Sequence, residues 1–235
     1  MSPSRLDVTM RFKPLSGFHI TGEEAVLGVD KVLVRAWEAP DAPVIPATSL
    51  KGWLRDNVEK ALRGLGGSVC DGSQPSSVCG RCPVCEVFGS PRGRSPLRFA
   101  DVRLEGSAQD VRMNVALSRR RRTAYEERLF STQVAWPTSL EGCVRGIFPS
   151  PEQARRAAAL LWLGTRTGLA LGAARSRGLG WLELQAFSAE VDGSPLTNES
   201  LAEEVRTLVT GAKSGPGTEA TAEAEGEAEG ERRSG

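Results

Sequence analysis

The chain has 235 residues, 40% hydrophobic and 25% charged, with a formal net charge of +1. That length suits one large domain or two small ones and can bury a substantial core. No apolar run reaches the ~18–20 residues of a membrane span, and Met1-Ser2-Pro3-Ser4-Arg5 lacks the apolar stretch of a secretory signal. A soluble, cytoplasmic protein with no membrane partner is therefore expected. The single histidine, His19, excludes two-histidine ribonuclease chemistry within one chain and any histidine-rich metal site. Arginine outnumbers lysine 25 to 5. GC-rich coding would produce that bias; so would a need for bidentate phosphate contacts, which guanidinium makes and ammonium does not.

Leu6, Val8, Met10 and Phe12 alternate with polar residues, the pattern of a half-buried strand. Lys31–Trp37 is a second strand candidate. Thr48 or Ser49 is then expected to cap a helix, with Leu50, Trp53, Leu54, Val58, Ala61, Leu62 and Leu65 at helical spacing. Leu97–Leu104 and Gly142–Phe148 read as strands. Ser150-Pro151-Glu152-Gln153 is a capping box with proline at the first helical position, and the Ala/Leu-rich helix behind it runs to about Thr165. Gly180–Val191 reads as a strand and Asn198–Val209 as a last helix. The order predicts an α+β protein with a ferredoxin-like split βαβ sheet and insertions.

Cys70, Cys79, Cys82 and Cys85 stand in the spacing C-x8-C-x2-C-x2-C. Four thiolates so close suit a tetrahedral Zn2+, and an intracellular chain rarely uses such a set for disulfides. An iron–sulfur cluster takes a similar set, and free thiols are the third reading. A four-thiolate zinc has no open position, so it would be structural. Cys143 stands apart and reads as a small buried hydrophobe.

From Arg81 to Arg128 the chain carries a net charge of +5, densest at Arg119, Arg120, Arg121 and Arg122. Four consecutive arginines cannot share one face of a regular element, so an exposed loop or tip is expected. Beside Val115, Leu117 and Tyr125 it has the composition of a nucleic-acid arm, with guanidinium for phosphates and apolar groups for base faces. Two shorter segments fit the same chemistry. Thr48-Ser49-Leu50-Lys51 opens a helix, where free N–H groups favour phosphate. Gly172 to Gly180 is a basic glycine-rich turn that lets backbone approach a ligand. Residues 211–235 hold six glutamates and no large apolar residue; they carry −3, leaving +4 on residues 1–210. They are expected to be a disordered acidic tail.

Four stretches, in order, resemble the RAMP superfamily of CRISPR-associated RNA-binding proteins, in particular the repeated backbone subunit of type III (Csm/Cmr-like) effector complexes. They are SGFHITGEEAVLGVDKVLVR, VIPATSLKGWLR, CPVCEVFGS with SPLRFADVRL, and LGAARSRGLGWLEL. Between the last two, RRRRTAYEERLFSTQVAWPTSLEG is similar to the family's thumb hairpin. Ala47 and Ala173-Ala174 depart from the glycine or serine usual in the family's two loops.

The resemblance implies a modified RRM-like palm over residues 1–210. It places a zinc-bearing finger insertion at 69–90 and a thumb at 110–135. It implies guide (CRISPR) RNA and target RNA as partners, together with other copies, related RAMP subunits and a large effector subunit, in antiviral defence. RNA contacts carried over by position are Ser49, Lys51, Arg55, Arg175 and Arg177, joined by the arginines at 119–122, with His19 shaping the groove. Asp30 matches the family's target-cleaving aspartate. It would position a 2'-hydroxyl for in-line attack, or hold Mg2+ or another divalent cation. A non-cleaving RNA scaffold, and a zinc-stabilised protein-interaction module, are the alternatives.

Overall fold

The computed structural model describes residues 3–23, 26–72, 74–104 and 106–213. The expected acidic tail beyond 213 lies outside the described residues. In chain order the elements are β1 (Ser4–Pro14), β2 (Arg35–Ala36), β3 (Ala39–Ile45), α1 (Ala47–Gly64), α2 (Pro83–Phe88), β4 (Leu97–Phe99) and β5 (Val102–Arg103). They continue with β6 (Ala108–Ser118), β7 (Thr123–Trp136), β8 (Leu140–Phe148), α3 (Pro151–Thr167), β9 (Leu182–Val191), β10 (Ser194–Pro195) and α4 (Asn198–Lys213).

The principal sheet is antiparallel with the order β10-β9-β1-β8-β4. The alternation read in β1 sends Leu6, Val8, Met10 and Phe12 into the core, where they meet the inward faces of β8 and β9. Helices α1 and α3 cover that face and pack on each other; α4 packs on α3. Leu50, Trp53, Leu54, Val58 and Leu62 of α1 are buried at helical spacing, as the sequence pattern requires. The mixed α+β class is as expected. The opposite face of the sheet carries exposed ion pairs, Arg5 and Arg145 with Asp7 and Arg11 with Glu141.

The Ser150 cap forms: its hydroxyl accepts from the Gln153 N–H at 3.4 Å, and Pro151 opens α3. The expected cap of α1 does not form. Thr48 and Ser49 lie inside the first turn, Pro46 is the N-cap, and the free Ala47 N–H donates to Oδ1 of Asp101 at 2.7 Å. The expected strand at Lys31–Trp37 shrinks to Arg35–Ala36, because residues 31 and 33 make only isolated bridges, to Thr132 and Thr21. The strand at Ala39–Ile45 was not expected; Pro40 and Pro43 obscure it, and it survives as part of a small three-stranded sheet with β2 and β5. Leu97–Leu104 divides at Ala100-Asp101 into strands of two different sheets. Helix α4 runs to Lys213, beyond the expected start of the tail. Among the described residues no helix is long and apolar enough to cross a membrane.

Candidate nucleic-acid interface and metal centre

The four clustered cysteines converge. Their sulfurs all lie within 4.8 Å of one another. Cys70 Sγ is 3.4 Å from Cys85 Sγ and 3.7 Å from Cys82 Sγ, and Cys79 Sγ is 4.0 Å from Cys85 Sγ. Tetrahedral zinc with Zn–S bonds of ~2.3 Å places its sulfurs about 3.8 Å apart, so the set fits the ion. Cys82 and Cys85 flank the start of α2, and Cys79 comes from the turn before it. Cys70 arrives from the opposite side, through the loop that leaves α1. That loop brings the fourth sulfur to the three supplied by Cys79, Cys82 and Cys85. Backbone N–H groups of Arg81 and Cys82 pull the Cys79 thiol down to about 6, whereas burial pushes the Cys85 thiol up to about 12. Protein groups therefore favour thiolate at one ligand and not the other; a cation would favour it at all four. Cys143 is separate, on the solvent-facing side of β8 opposite Thr9.

Beside this cluster lies an open groove of about 770 Å³, between α1, the Gly89–Ser95 loop and β4. Lys51, Arg55, Arg94 and Arg98 line it, and no acidic residue does so among the described residues. Burial first, then the charges of Arg55 and Arg98, hold the Lys51 amine below its ordinary value, so the groove is a site that an anion would stabilise. Arg94 and Arg98 were not singled out in the sequence. Both sit in the +5 window, and folding brings them to one groove with Lys51. Ser49, expected beside them, sits half-buried in the first turn of α1 and does not line the groove. Arg55 lines it, yet its nitrogens are engaged by Glu59, the Gly89 carbonyl and Cys85.

The basic segment forms the long hairpin β6–β7. Arg119, Arg120, Arg121 and Arg122 make its exposed turn, closed by the Arg122 N–H on the Ser118 carbonyl at 2.8 Å. Alternation puts Val111, Met113, Val115 and Leu117 on one face with Leu129, all exposed. At the base the hairpin enters the body. Ala135 pairs with Phe18 and Thr132 with Lys31, and Ser131, Thr132, Val134 and Ala135 are buried.

Asp30 lies at this base. Its Oδ2 accepts from the Ser131 N–H at 2.7 Å and from the Ser131 hydroxyl at 2.8 Å, while its own N–H donates to Ser131 Oγ at 2.9 Å. These bonds, the backbone one first, hold the Asp30 carboxyl below its ordinary value. The carboxylate stays exposed at the rim of an open concavity of about 600 Å³. Leu27, Met113 and Leu129 supply apolar walls. Leu27 is thrust fully outward by a turn closed from Val29 N–H to Val26 carbonyl, whose third residue, Gly28, takes the positive φ of 81° that suits glycine. Ser131 gave no signal in the sequence: a serine in mid-strand, 101 positions from its partner, has no local pattern.

His19 is 2% exposed. Its Nδ1 lies 2.7 Å from the Gln133 carbonyl, which can only accept, so Nδ1 carries the proton and Nε2 accepts from the Thr21 hydroxyl at 3.0 Å. Both nitrogens are occupied, so His19 supports the surface and does not itself offer a contact to RNA. Burial first, then the charges of Lys31 and Arg177, keep it below its ordinary value despite the Gln133 bond. The glycine-rich turn packs on the same segment: Ala173 N–H donates to the His19 carbonyl and Gly180 N–H to the Gly17 carbonyl, each at 2.8 Å. A Cβ at Gly172 would stand 2.8 Å from the His19 carbonyl oxygen, and one at Gly180 would collide with that of Leu171. These glycines therefore serve close packing within the chain. The same packing presents Arg175 and Arg177, both exposed, on a short 3-10 turn.

A family model of the RAMP superfamily matches residues 12–183. The chain belongs to the RAMP superfamily. The match runs from the last residues of β1 to the first residues of β9, and so takes in Asp30, the cysteine cluster, the basic groove, the hairpin and the glycine-rich turn. Membership brings a CRISPR-associated, RNA-binding role and assembly into complexes. No curated protein matches the chain. For this RAMP protein the groove cations and the arginine tip are groups of the right chemistry for a phosphate backbone.

Proposed function

We propose that this RAMP protein is a backbone subunit of a type III CRISPR ribonucleoprotein that binds guide RNA along its length and cleaves complementary target RNA at regular intervals, in antiviral defence. The β9-β1-β8-β4 order, with α1 and α3 on one face, supports a ferredoxin-like, RRM-like palm. Residues 69–90 act as the zinc finger and the β6–β7 hairpin as the thumb. Lys51, Arg94 and Arg98 take phosphates in the groove; Arg119 to Arg122, Arg175 and Arg177 extend the basic track. Copies of the chain, related RAMP subunits and a large effector subunit complete the particle. Sequence choice comes from base pairing, with the protein reading charge and shape.

The observation that carries cleavage is the Asp30 carboxylate: one oxygen fixed by Ser131, the group exposed, and apolar walls beside it. Those walls suit the face of an unstacked base. A carboxyl held ionised well below neutral pH is a weak base. Asp30 therefore acts by orienting the 2'-hydroxyl for in-line attack on the adjacent phosphate, with the 5'-oxygen leaving and water taking the hydroxyl proton, or by holding a divalent cation there, and not by storing the proton. Among the described residues lining the concavity, Asp30 is the sole ionisable one, which also suits the second reading, a guide-RNA scaffold that does not cut.

The test is the assembled complex with Asp30→Ala. Retained guide RNA and assembly with target cutting abolished is the expected result. Undiminished cutting overturns the catalytic assignment, and a wild-type complex that binds but never cuts establishes the scaffold reading. A purified protein carrying no RNA of discrete length would favour a protein-interaction module.

A further inference from the structure

Four thiolates around one Zn2+ leave a net double negative charge, which a protein must balance or leave to solvent. In this chain the balance is built into α1. Glu59 is only 6% exposed, and two arginines, each one turn away, close on it. Arg55 Nε is 2.9 Å from Glu59 Oε1, and Arg63 Nη2 is 3.2 Å from Glu59 Oε2. Oε2 also accepts from the Gly72 N–H at 3.2 Å, in the loop that follows Cys70.

Each arginine continues toward a different end of the ligand run. Arg63 Nη2 donates to the Cys70 carbonyl at 3.1 Å. Arg55 Nη2 lies 3.8 Å from Sγ of Cys85, the ligand buried to 3% exposure, and Nη1 donates to the carbonyl of Gly89, the C-cap of α2, at 3.0 Å. Exposed i,i+4 pairs on helices contribute little. This triad is different, because it encloses a buried carboxylate that would be costly without both partners. Arg63 is also 3.9 Å from Asp71 Oδ1, so the positive group that reaches a ligand sulfur is the Arg55 guanidinium.

We propose that Arg55 is an outer-shell residue of the four-cysteine metal centre, positioned by Glu59, and that its main work is to stabilise the metal-bound thiolates and not to contact RNA phosphate. The proposal rests on the zinc reading of the cysteine cluster. It deepens that reading by naming where the compensating charge comes from, and it separates Arg55 from Lys51 and Arg98, whose side chains reach the groove without a tie to the cysteines. Outer-shell partners of metal ligands commonly control affinity by ~10–100-fold.

The experiment is zinc competition against a chromophoric chelator on the full chain, with single-stranded RNA binding measured on the same samples. Arg55→Ala is expected to weaken zinc by about 10–100-fold and RNA binding less than Arg98→Ala does. Arg98→Ala is expected to leave zinc affinity unchanged. Glu59→Gln keeps the shape but frees both arginines, and is expected to fall between wild type and Arg55→Ala; it also serves if Arg55→Ala misfolds. Zinc affinity within twofold of wild type in both the Arg55 and Glu59 variants overturns the proposal alone. A wild-type chain that takes up no zinc overturns the metal reading and the proposal together, whereas loss of RNA binding by metal-loaded wild type would strike only the RNA reading.

Discussion

Ser131 donates both its backbone N–H and its hydroxyl to one oxygen of Asp30, at 2.7 and 2.8 Å, from a strand 101 residues further along the chain. The pairing locks the Asp30 turn to the base of the hairpin. Any movement of the hairpin base is thus felt at the carboxylate.

Ser131→Ala removes the hydroxyl and leaves the N–H. Asp30 is then expected to titrate closer to its ordinary value of 3.8. Because the wild-type value is depressed, the ionised form persists to lower pH, and the variant loses it earlier as pH falls. Carboxyl NMR titration reads this directly, without any cleavage assay. Cleavage is expected to drop about fivefold, as the loss of one orienting hydrogen bond implies. An unmoved titration would mean that the hydroxyl is irrelevant.

Arg119 to Arg122 form an exposed turn, so their replacement by alanine leaves the fold intact. If each contacts a phosphate, the slope of log affinity against log salt falls by about 0.7 per contact on single strands, close to 3 in all. RNA titrations at several salt concentrations measure it. A slope equal to that of wild type would make the turn a bystander.

His19 has a lowered pKa, so the fold favours its neutral form. The unfolded chain then takes up the proton first. Stability is complete above the ordinary value of 6.5 and declines as pH falls from there toward the folded value. Melting temperatures across this range are expected to fall with acid in wild type and to fall less steeply in His19→Asn. Equal slopes in the two proteins would count against a neutral His19.

Gly180 has φ of 75° and no room for a Cβ beside the Leu171 carbonyl. Gly180→Ala is expected to destabilise by ~1–3 kcal/mol and to disturb the turn that presents Arg175 and Arg177. Denaturant unfolding measures the first effect and RNA affinity the second. Gly193, with φ of 79° but open space around it, is the control for backbone strain without collision.

Metal removal is expected to act locally. Val84, Val87 and Phe88 of α2 belong to the main core, so chelation should expose amides of residues 70–82 to exchange before those of β1, β8 and β9. Uniform loss of protection would place the cysteines at the centre of global stability instead.

Much of the fold was legible because periodicity is local. The alternation of β1, the apolar face of α1 and the Ser150 cap each follow from neighbouring residues. The misses share one cause, which is that partners far along the chain override local preference. Asp101 caps α1 in place of Thr48 or Ser49, and β3 exists because β2 and β5 flank it, despite its prolines. Among the site residues, the cysteines and the arginine turn announced themselves by spacing. Arg98 and Ser131 did not, since a single arginine or serine in a strand carries no pattern until the sheet pairs it.

The opening net charge of +1 is a sum over the chain, and the sequence by itself already resolved it into a basic body and acidic glutamates beyond residue 211. Composition and spacing also marked the β1 strand, the α1 and α3 helices, the four-cysteine cluster and the ordered motifs that signal the family. Tertiary structure decided which cations share one groove, which arginine turns toward the cysteines and which serine holds Asp30. The physical reason is range. Hydrophobic periodicity and ligand spacing act over a few residues, whereas electrostatic fields and hydrogen bonds act through space, between groups that only folding brings within a few ångströms.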